Sequence, residues 1–319
     1  MPRFTVILPT RNRAPLLRFA IASVLAQTER DFELFVVGDG CTDDSGAVAT
    51  GFGDPRLRWF DLPKAPHIGY ANRNLALREA RGDFIAYATD DDLVFPDHLA
   101  CLAAALGAAG AEWAYSRPLC VSRRGLIVPL PSDLRDADEL ESFITTGNHI
   151  PSTCVMHRRE CLDRYGYWPE DVPQAADWRY WIRIIEGAGR AAIGHCPVPT
   201  TIHFIAAWRT DPNLRPLRAA DMLGDGAAWW PESLKLPRVE GRSAQAAFAE
   251  WIQREDFVAG LRRDAARVVD RLAWSALDRM QPQLAALRAS RSWRWTAPLR
   301  GLSWLMRARK RNDASAKPR

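Results

Sequence analysis

A chain of 319 residues with 47% hydrophobic content can bury a substantial core, enough for one large domain or a domain plus an appendage. Its six cysteines, at 41, 101, 120, 154, 161 and 196, form no C-x-x-C pair and no finger-like spacing with histidine, which argues against a disulfide framework or a zinc site. The net charge of +5 conceals a split: residues 254–319 carry 16 Lys/Arg against 6 Asp/Glu, so a mildly acidic body precedes a strongly basic tail.

Taken in order, Phe4-Thr5-Val6-Ile7-Leu8 predicts a strand, with no signal-peptide architecture before it, stopped by Pro9-Thr10-Arg11-Asn12-Arg13. Pro15 to Gln27 places Leu16, Leu17, Ala20, Val24 and Leu25 at helical spacing, with Pro15 suited to a first turn. A second strand, Phe32 to Val37, runs into Gly38-Asp39-Gly40, and Leu57 to Phe60 forms a third. Gly69 to Ala80 reads as a helix stopped by Gly82, and Phe84 to Ala88 is a strand that ends abruptly in Thr89-Asp90-Asp91-Asp92. Such alternation predicts an α/β fold with a largely parallel sheet.

Two strand ends therefore finish in acid on one carboxyl edge, at Asp39 and at Asp90-Asp91-Asp92. Adjacent carboxylates raise each other's pKa, and a divalent cation at that edge would relieve the repulsion. The plainer alternative is a solvated acidic turn before a helix near Pro96-Asp97. Gly38 to Gly40 lacks the third glycine and following helix of a dinucleotide fingerprint, and no G-x-x-x-x-G-K-[ST] occurs. The first argues against a Rossmann dehydrogenase, and the second excludes a P-loop kinase.

Farther on, Trp113 to Val128 reads as a hairpin around Arg123-Arg124-Gly125, Asp138 to Thr145 as a short helix, and Ile150 to Arg158 as strand material in which His157 is structural. Asp177 opens a helix and reads from its position as an N-cap. Ala191 to Ile205 is strand material, in which His203 between apolar residues reads as a core or edge histidine. Trp229-Trp230 suits packing better than an acceptor platform. Ser243 caps a helix, and Phe257, Leu261, Val268, Leu272 and Met280 give an amphipathic one, able to lie on the body, on a second copy in a homodimer, or on a membrane.

The blocks Thr5-Val6-Ile7-Leu8-Pro9-Thr10-Arg11-Asn12, Phe32 to Asp39, Gly69 to Asn74 (GYANRN) and Gly82 to Pro96 (GDFIAYATDDDLVFP) resemble, in order and spacing, the family-2 glycosyltransferases, in particular the spore-coat polysaccharide branch. The resemblance implies a GT-A fold over residues 1–213, Rossmann-like with helices on both faces of the sheet, and leaves 214–319 as a mainly helical, basic, Trp-rich extension. It also implies roles. Asp39 would bind the base or ribose of a nucleotide sugar beside the Pro9-Thr10-Arg11 loop, with Arg73 and Asp90 near the nucleotide. Asp91 would hold Mn or Mg, supported by Asp92 and His203. Asp177 would be the general base, from the spacing D-x-x-x-W-x-R. Departures are Gly38 and Thr89 for acidic residues, Asn72 for alanine and Ala176 for glutamate.

The activity so implied is inverting, metal-dependent transfer from a nucleotide sugar, UDP favoured, to a hydroxyl of a glycan or lipid-linked glycan in bacterial cell-surface polysaccharide synthesis. A sugar-phosphate nucleotidyltransferase and a catalytically silent GT-A-like assembly module are the rival readings. The segment Ser290 to Arg311 resembles C-terminal segments of bacterial polysaccharide glycosyltransferases, and its tryptophans beside arginines suit an anionic membrane surface better than nucleic acid. The expected location is cytoplasmic, peripheral at the inner face of the cell membrane.

Overall fold

The computed structural model describes residues 1–107, 110–122, 125–204, 228–236 and 241–290. The chain begins with β1 (Phe4–Thr10), α1 (Ala14–Leu25), β2 (Phe32–Asp39), α2 (Ser45–Thr50), β3 (Leu57–Leu62), α3 (Tyr70–Arg78) and β4 (Phe84–Tyr87). It continues through β5 (Leu93–Val94), α4 (His98–Gly107), β6 (Trp113–Val121), β7 (Ile127–Pro129), α5 (Ala137–Thr145) and β8 (Val155–Arg158). Then follow α6 (Glu160–Tyr165), α7 (Ala176–Ala188), β9 (Ile193–Phe204), α8 (Ala244–Trp251) and α9 (Glu255–Ala289).

The strands join in one sheet of order β3-β2-β1-β4-β8-β6-β9-β5, with β7 paired to β6. The first four are parallel, as strand–helix alternation requires. Beyond β4 the sheet is mixed: β8 runs antiparallel to β4 and β6, because the chain returns through the β7 hairpin and α5 instead of a βαβ crossover. Parallel registry brings the ends of β1, β2 and β4 to a common edge, carrying Thr10, Asp39 and the three aspartates.

Both faces of the sheet are covered, and the period of two in each strand divides the core. Ile7, Phe35, Val37, Ile85 and Tyr87 point to a layer with Tyr70 and Leu77 of α3 and Trp181 and Ile184 of α7. Their neighbours Val6, Leu8, Leu34, Val36 and Ala86 point the other way, to Leu17, Ile21 and Val24 of α1 and Leu99, Leu102 and Leu106 of α4. Leu17, Ile21 and Val24 recur on one helical face and are buried, each contributing about 1.5–3 kcal/mol. Gly38 stands where an acidic side chain was expected because Trp59 occupies the space: a Cβ there would lie 2.5 Å from its Cη2.

The chain divides into two compact units, Met1–Ala266 and Arg267–Arg319. The sheet and its flanking helices lie in the first, and α9 supplies the described part of the second. Ser243 caps α8, accepting from Ala246 N–H at 3.1 Å, and of the stripe expected in α9 Leu261 and Val268 are buried and Phe257 and Leu272 half-buried, while Val258 and Ala265, not expected there, are buried too. Trp230 is buried and donates through Nε1 to Leu234 O, which fits packing. The expected boundary at 213/214 and the basic Trp-rich segment 291–319 lie outside the described residues. Among the described residues no helix is long and apolar enough to cross a membrane.

Candidate active site

The three aspartates after β4 are not equivalent. Asp90 accepts from Thr10 Oγ1 at 2.8 Å and from the Arg11 backbone, while the Arg11 side chain is exposed. Burial, then the neighbouring Asp91 charge, pushes Asp90 up to about 6 against the pull of Arg13 and Thr10. Asp91 accepts from Arg13 Nη1 at 2.7 Å; burial and Asp92 push it up, opposed by Arg13 and His203. Asp92 is 2% exposed and held on all sides, by His203 Nδ1 at 2.9 Å, Thr153 Oγ1 at 2.7 Å and Phe204 N–H at 3.1 Å. Burial alone would raise its pKa, but His203 and these donors outweigh burial and lower it.

The three members of the metal set implied by the resemblance have different partners in this structure. Asp92 and His203 are joined to each other, so Asp92 orients the histidine ring, and Asp91 turns to Arg13. Among the described residues no group of three or more His, Cys, Asp and Glu is arranged to hold a metal ion. The Asp90–Asp91 pair still has the donor chemistry of a hard-cation site. It offers two partly buried carboxylates, and Arg13 leaves Asp90 raised to about 6. The residues fit Mg or Mn at this pair.

The second acidic strand end is built by α3. Asp39 Oδ1 accepts from Ala65 N–H and Asn72 Nδ2, both at 2.8 Å, and Lys64 Nζ lies 3.0 Å from Oδ2. Gly69 is required here: its φ is +75°, and a Cβ would stand 2.5 Å from Asp39 Oδ2. Three consecutive residues of α3 then do different work. Asn72 fixes Asp39, Arg73 faces the site, and Asn74 holds the 168–170 segment through Trp168 O and Glu170 Oε1, both at 2.8 Å.

Arg73 ties the cluster together. Its guanidinium donates to Ile68 O at 2.8 Å and lies over the rings of Tyr70 and Trp168, 5.2 and 5.5 Å from their centroids. Its Nε is buried without a hydrogen-bond partner. Burial pulls Arg73 below its ordinary pKa, while the charges of Tyr70, Asp177, Asp39 and Asp90 pull it back up. The charges of Asp39, Asp90 and Asp177 thus all act on this one cation.

Asp177 is half-buried and stands one residue inside α7. The cap position belongs to Ala175 at φ +59°, so the N-cap reading gives way to a first-turn carboxylate, still favoured by the helix dipole. Ala176, where a glutamate was expected, is fully buried in the core and has no room for a charge. His157 is structural, with Nε2 2.8 Å from Tyr87 Oη. Arg13, Lys64, Asn72 and Thr153 were not singled out from sequence; Arg13 read as part of the loop that stops β1, and Asn72 as a departure from a motif. A depression of about 720 Å³ at the amino ends of β2 and β3, lined by Glu33, Arg56, Arg58 and Arg81, contains none of the candidate residues.

Comparison with known proteins bears on the family and the fold. The model of glycosyl transferase family 2 matches residues 5–165, half of the chain. An uncharacterized glycosyltransferase of Rickettsia conorii is 38% identical over 201 residues, 60% of this chain and 31% of that protein. The GalNAc(5)-diNAcBac-PP-undecaprenol beta-1,3-glucosyltransferase of Campylobacter jejuni is 34% identical over 104 residues, 32% of this chain and 34% of that protein. The matches thus span about a third of each of these relatives. The structure of S. aureus TarS residues 1–349 in complex with UDP-GlcNAc has a TM-score of 0.54 at 20% identity, covering 80% of this chain and 71% of that one, and shows the shared fold. The chain belongs to glycosyl transferase family 2 and carries the GT-A fold.

Proposed function

We propose that this protein transfers a sugar from a nucleotide-sugar donor to an acceptor hydroxyl with inversion at the anomeric carbon. The observation that carries the reading is that parallel registry brings Asp39 and the Asp90–Asp91 pair to the same carboxyl edge of the sheet, with Thr10 of the adjoining loop bound to Asp90 at 2.8 Å. Asp39, held by Asn72, Ala65 and Lys64, receives the base or ribose, with Pro9, Thr10 and Arg11 in the adjoining loop. Arg73 faces the anionic part of the nucleotide, and fixed positioning supplies much of the rate. Asp91, with Asp90, would hold Mg or Mn, which supplies charge neutralisation for the departing nucleoside diphosphate. Asp177 accepts the proton of the acceptor hydroxyl while that oxygen attacks C1 opposite the leaving group.

The TarS complex with UDP-GlcNAc supports UDP as the nucleotide, and the Campylobacter relative supports a lipid-linked glycan acceptor in surface polysaccharide synthesis. The composition of residues 291–319 supports attachment to an anionic membrane surface, placing the enzyme at the inner face of the cell membrane. Family membership favours glycosyl transfer over nucleotidyl transfer. The test is Asp177→Asn, assayed by release of nucleoside diphosphate across a panel of nucleotide sugars with Mn or Mg. Wild-type turnover with sugar transfer is expected, together with loss of turnover but retained Mn-dependent UDP binding in the variant. Full turnover by the variant removes Asp177 from the mechanism, and wild-type binding without turnover favours a silent assembly module.

A further inference from the structure

Arg13 has no part in the scheme above, yet it makes the shortest contact to the proposed cation ligands. It occupies the cap position of α1, where its carbonyl accepts from Leu16 and Leu17 N–H. Its backbone is pinned. The Arg13 N–H donates to Ser45 Oγ at 3.3 Å, and the Ala14 N–H to Asp43 Oδ2 at 3.0 Å. Asn12, at φ +52°, accepts from Thr42 N–H at 2.7 Å.

The side chain is held otherwise. Nη1 lies 2.7 Å from Asp91 Oδ2, but Nε is 3.8 Å from Asp90 Oδ1, so the planar fork is seated bidentately on neither carboxylate. The side chain is 28% exposed and can swing about its own torsions while the anchored backbone stays in place. A single positive charge therefore serves two partly buried carboxylates through one good contact. Those oxygens are the ones a divalent cation would need, and a guanidinium and a metal ion cannot both occupy them. A displaced guanidinium would remain beside any diphosphate drawn to the same pair, and its fork matches phosphate geometry.

We propose that Arg13 is a stand-in counter-ion for Asp90 and Asp91, displaced by the divalent cation and then received by a phosphate of the nucleotide. The inference rests on the nucleotide-sugar reading of the site. A cation arriving alone has to break the Arg13–Asp91 pair and leaves the guanidinium without a partner. Cation and nucleotide arriving together exchange that pair for an Arg13–phosphate pair. Each ligand then strengthens the other by the same factor.

The test titrates Mn2+ into the full chain, following free Mn2+ by electron paramagnetic resonance with and without UDP, for wild type, Arg13→Gln and Arg13→Lys. Thermal melting verifies that each is folded. Arg13→Gln is expected to bind Mn2+ alone at least about tenfold more tightly, the factor that removing a competing charged hydrogen bond of about 1.5 kcal/mol or more gives. UDP should strengthen Mn2+ binding strongly in wild type and little in the variant. Arg13→Lys keeps the charge without the fork, so it should keep the weak Mn2+ binding of wild type and lose most of the UDP effect. Unchanged or weaker Mn2+ binding in folded Arg13→Gln, or a full UDP effect in both variants, overturns the role of Arg13 alone. Absence of Mn2+ uptake by wild type with every nucleoside diphosphate removes the nucleotide-sugar reading as well.

Discussion

Asp91 and Asp92 are adjacent in sequence, and the structure gives them opposite consequences on neutralisation. Asp92→Asn places an amide NH2 where one carboxylate oxygen accepts, either toward Phe204 N–H or toward Thr153 Oγ1, and removes the charge facing His203 Nδ1 at 2.9 Å. Charged hydrogen bonds contribute about 1.5–3 kcal/mol each, and the surviving amide oxygen retains part of that, so a loss of about 3 kcal/mol is expected. For a unit of this size such a loss lowers Tm by about 6–12 °C. Asp91→Asn removes a charge that burial and Asp92 already disfavour, against one lost contact to Arg13, and its Tm should stay within about 2 °C of wild type. The assay is thermal unfolding by circular dichroism at pH 7, paired with Mn2+ titration. The lowered pKa of Asp92 adds a second signature. Its stabilisation is present above the unfolded carboxylate value of about 3.9 and disappears as pH falls through the lower folded value, so the gap to Asp92→Asn should narrow in acid. If Asp92→Asn melts with wild type while losing Mn2+, Asp92 is a ligand and the division of roles argued above is wrong.

Asp90 has the reverse sign, because its folded pKa is raised to about 6. Between about pH 4 and that value the folded state holds a proton the unfolded chain has lost, so its contribution to stability falls as pH rises through the window. Asp90→Asn should remove that slope in a Tm–pH series, and Mn2+ affinity of wild type, measured calorimetrically, should drop about tenfold per pH unit below the Asp90 value. Gly69→Ala drives a methyl to 2.5 Å from Asp39 Oδ2 at a φ of +75°, so it should abolish the thermal shift given by UDP. Its backbone strain is about 1–2 kcal/mol, which the Tm without nucleotide reports. Deleting residues 290–319 should release the protein from anionic liposomes in a sedimentation assay, and undiminished co-sedimentation would refute the tail as the attachment.

Much of the fold was legible because strand–helix alternation in the first ninety or so residues has a single simple consequence, a parallel sheet with its acidic ends on one edge. The antiparallel entry of β8 was not legible, since strand direction depends on the path of the intervening chain and leaves no mark on the strand's own residues. The candidate residues followed the same division. Asp39, Arg73, Asp90 and Asp177 were named through the family resemblance, and the structure sets Asp39 and Asp90 at the carboxyl edge of neighbouring strands and Asp177 in the first turn of α7.

How the carboxylates differ could be decided only in three dimensions. In sequence, Asp90-Asp91-Asp92 is a run of identical charges. In space, successive residues of a turn face different neighbours, so one meets Thr10, the next Arg13, and the third a buried pocket closed by Thr153, Phe204 and His203. Two of those partners lie more than a hundred residues away, and contacts of that range arise from the sheet order. The acidic edge and its chemistry are therefore a property of the sequence. Which donors reach each aspartate is a property of the packed chain, because those donors come from strands and loops distant in sequence.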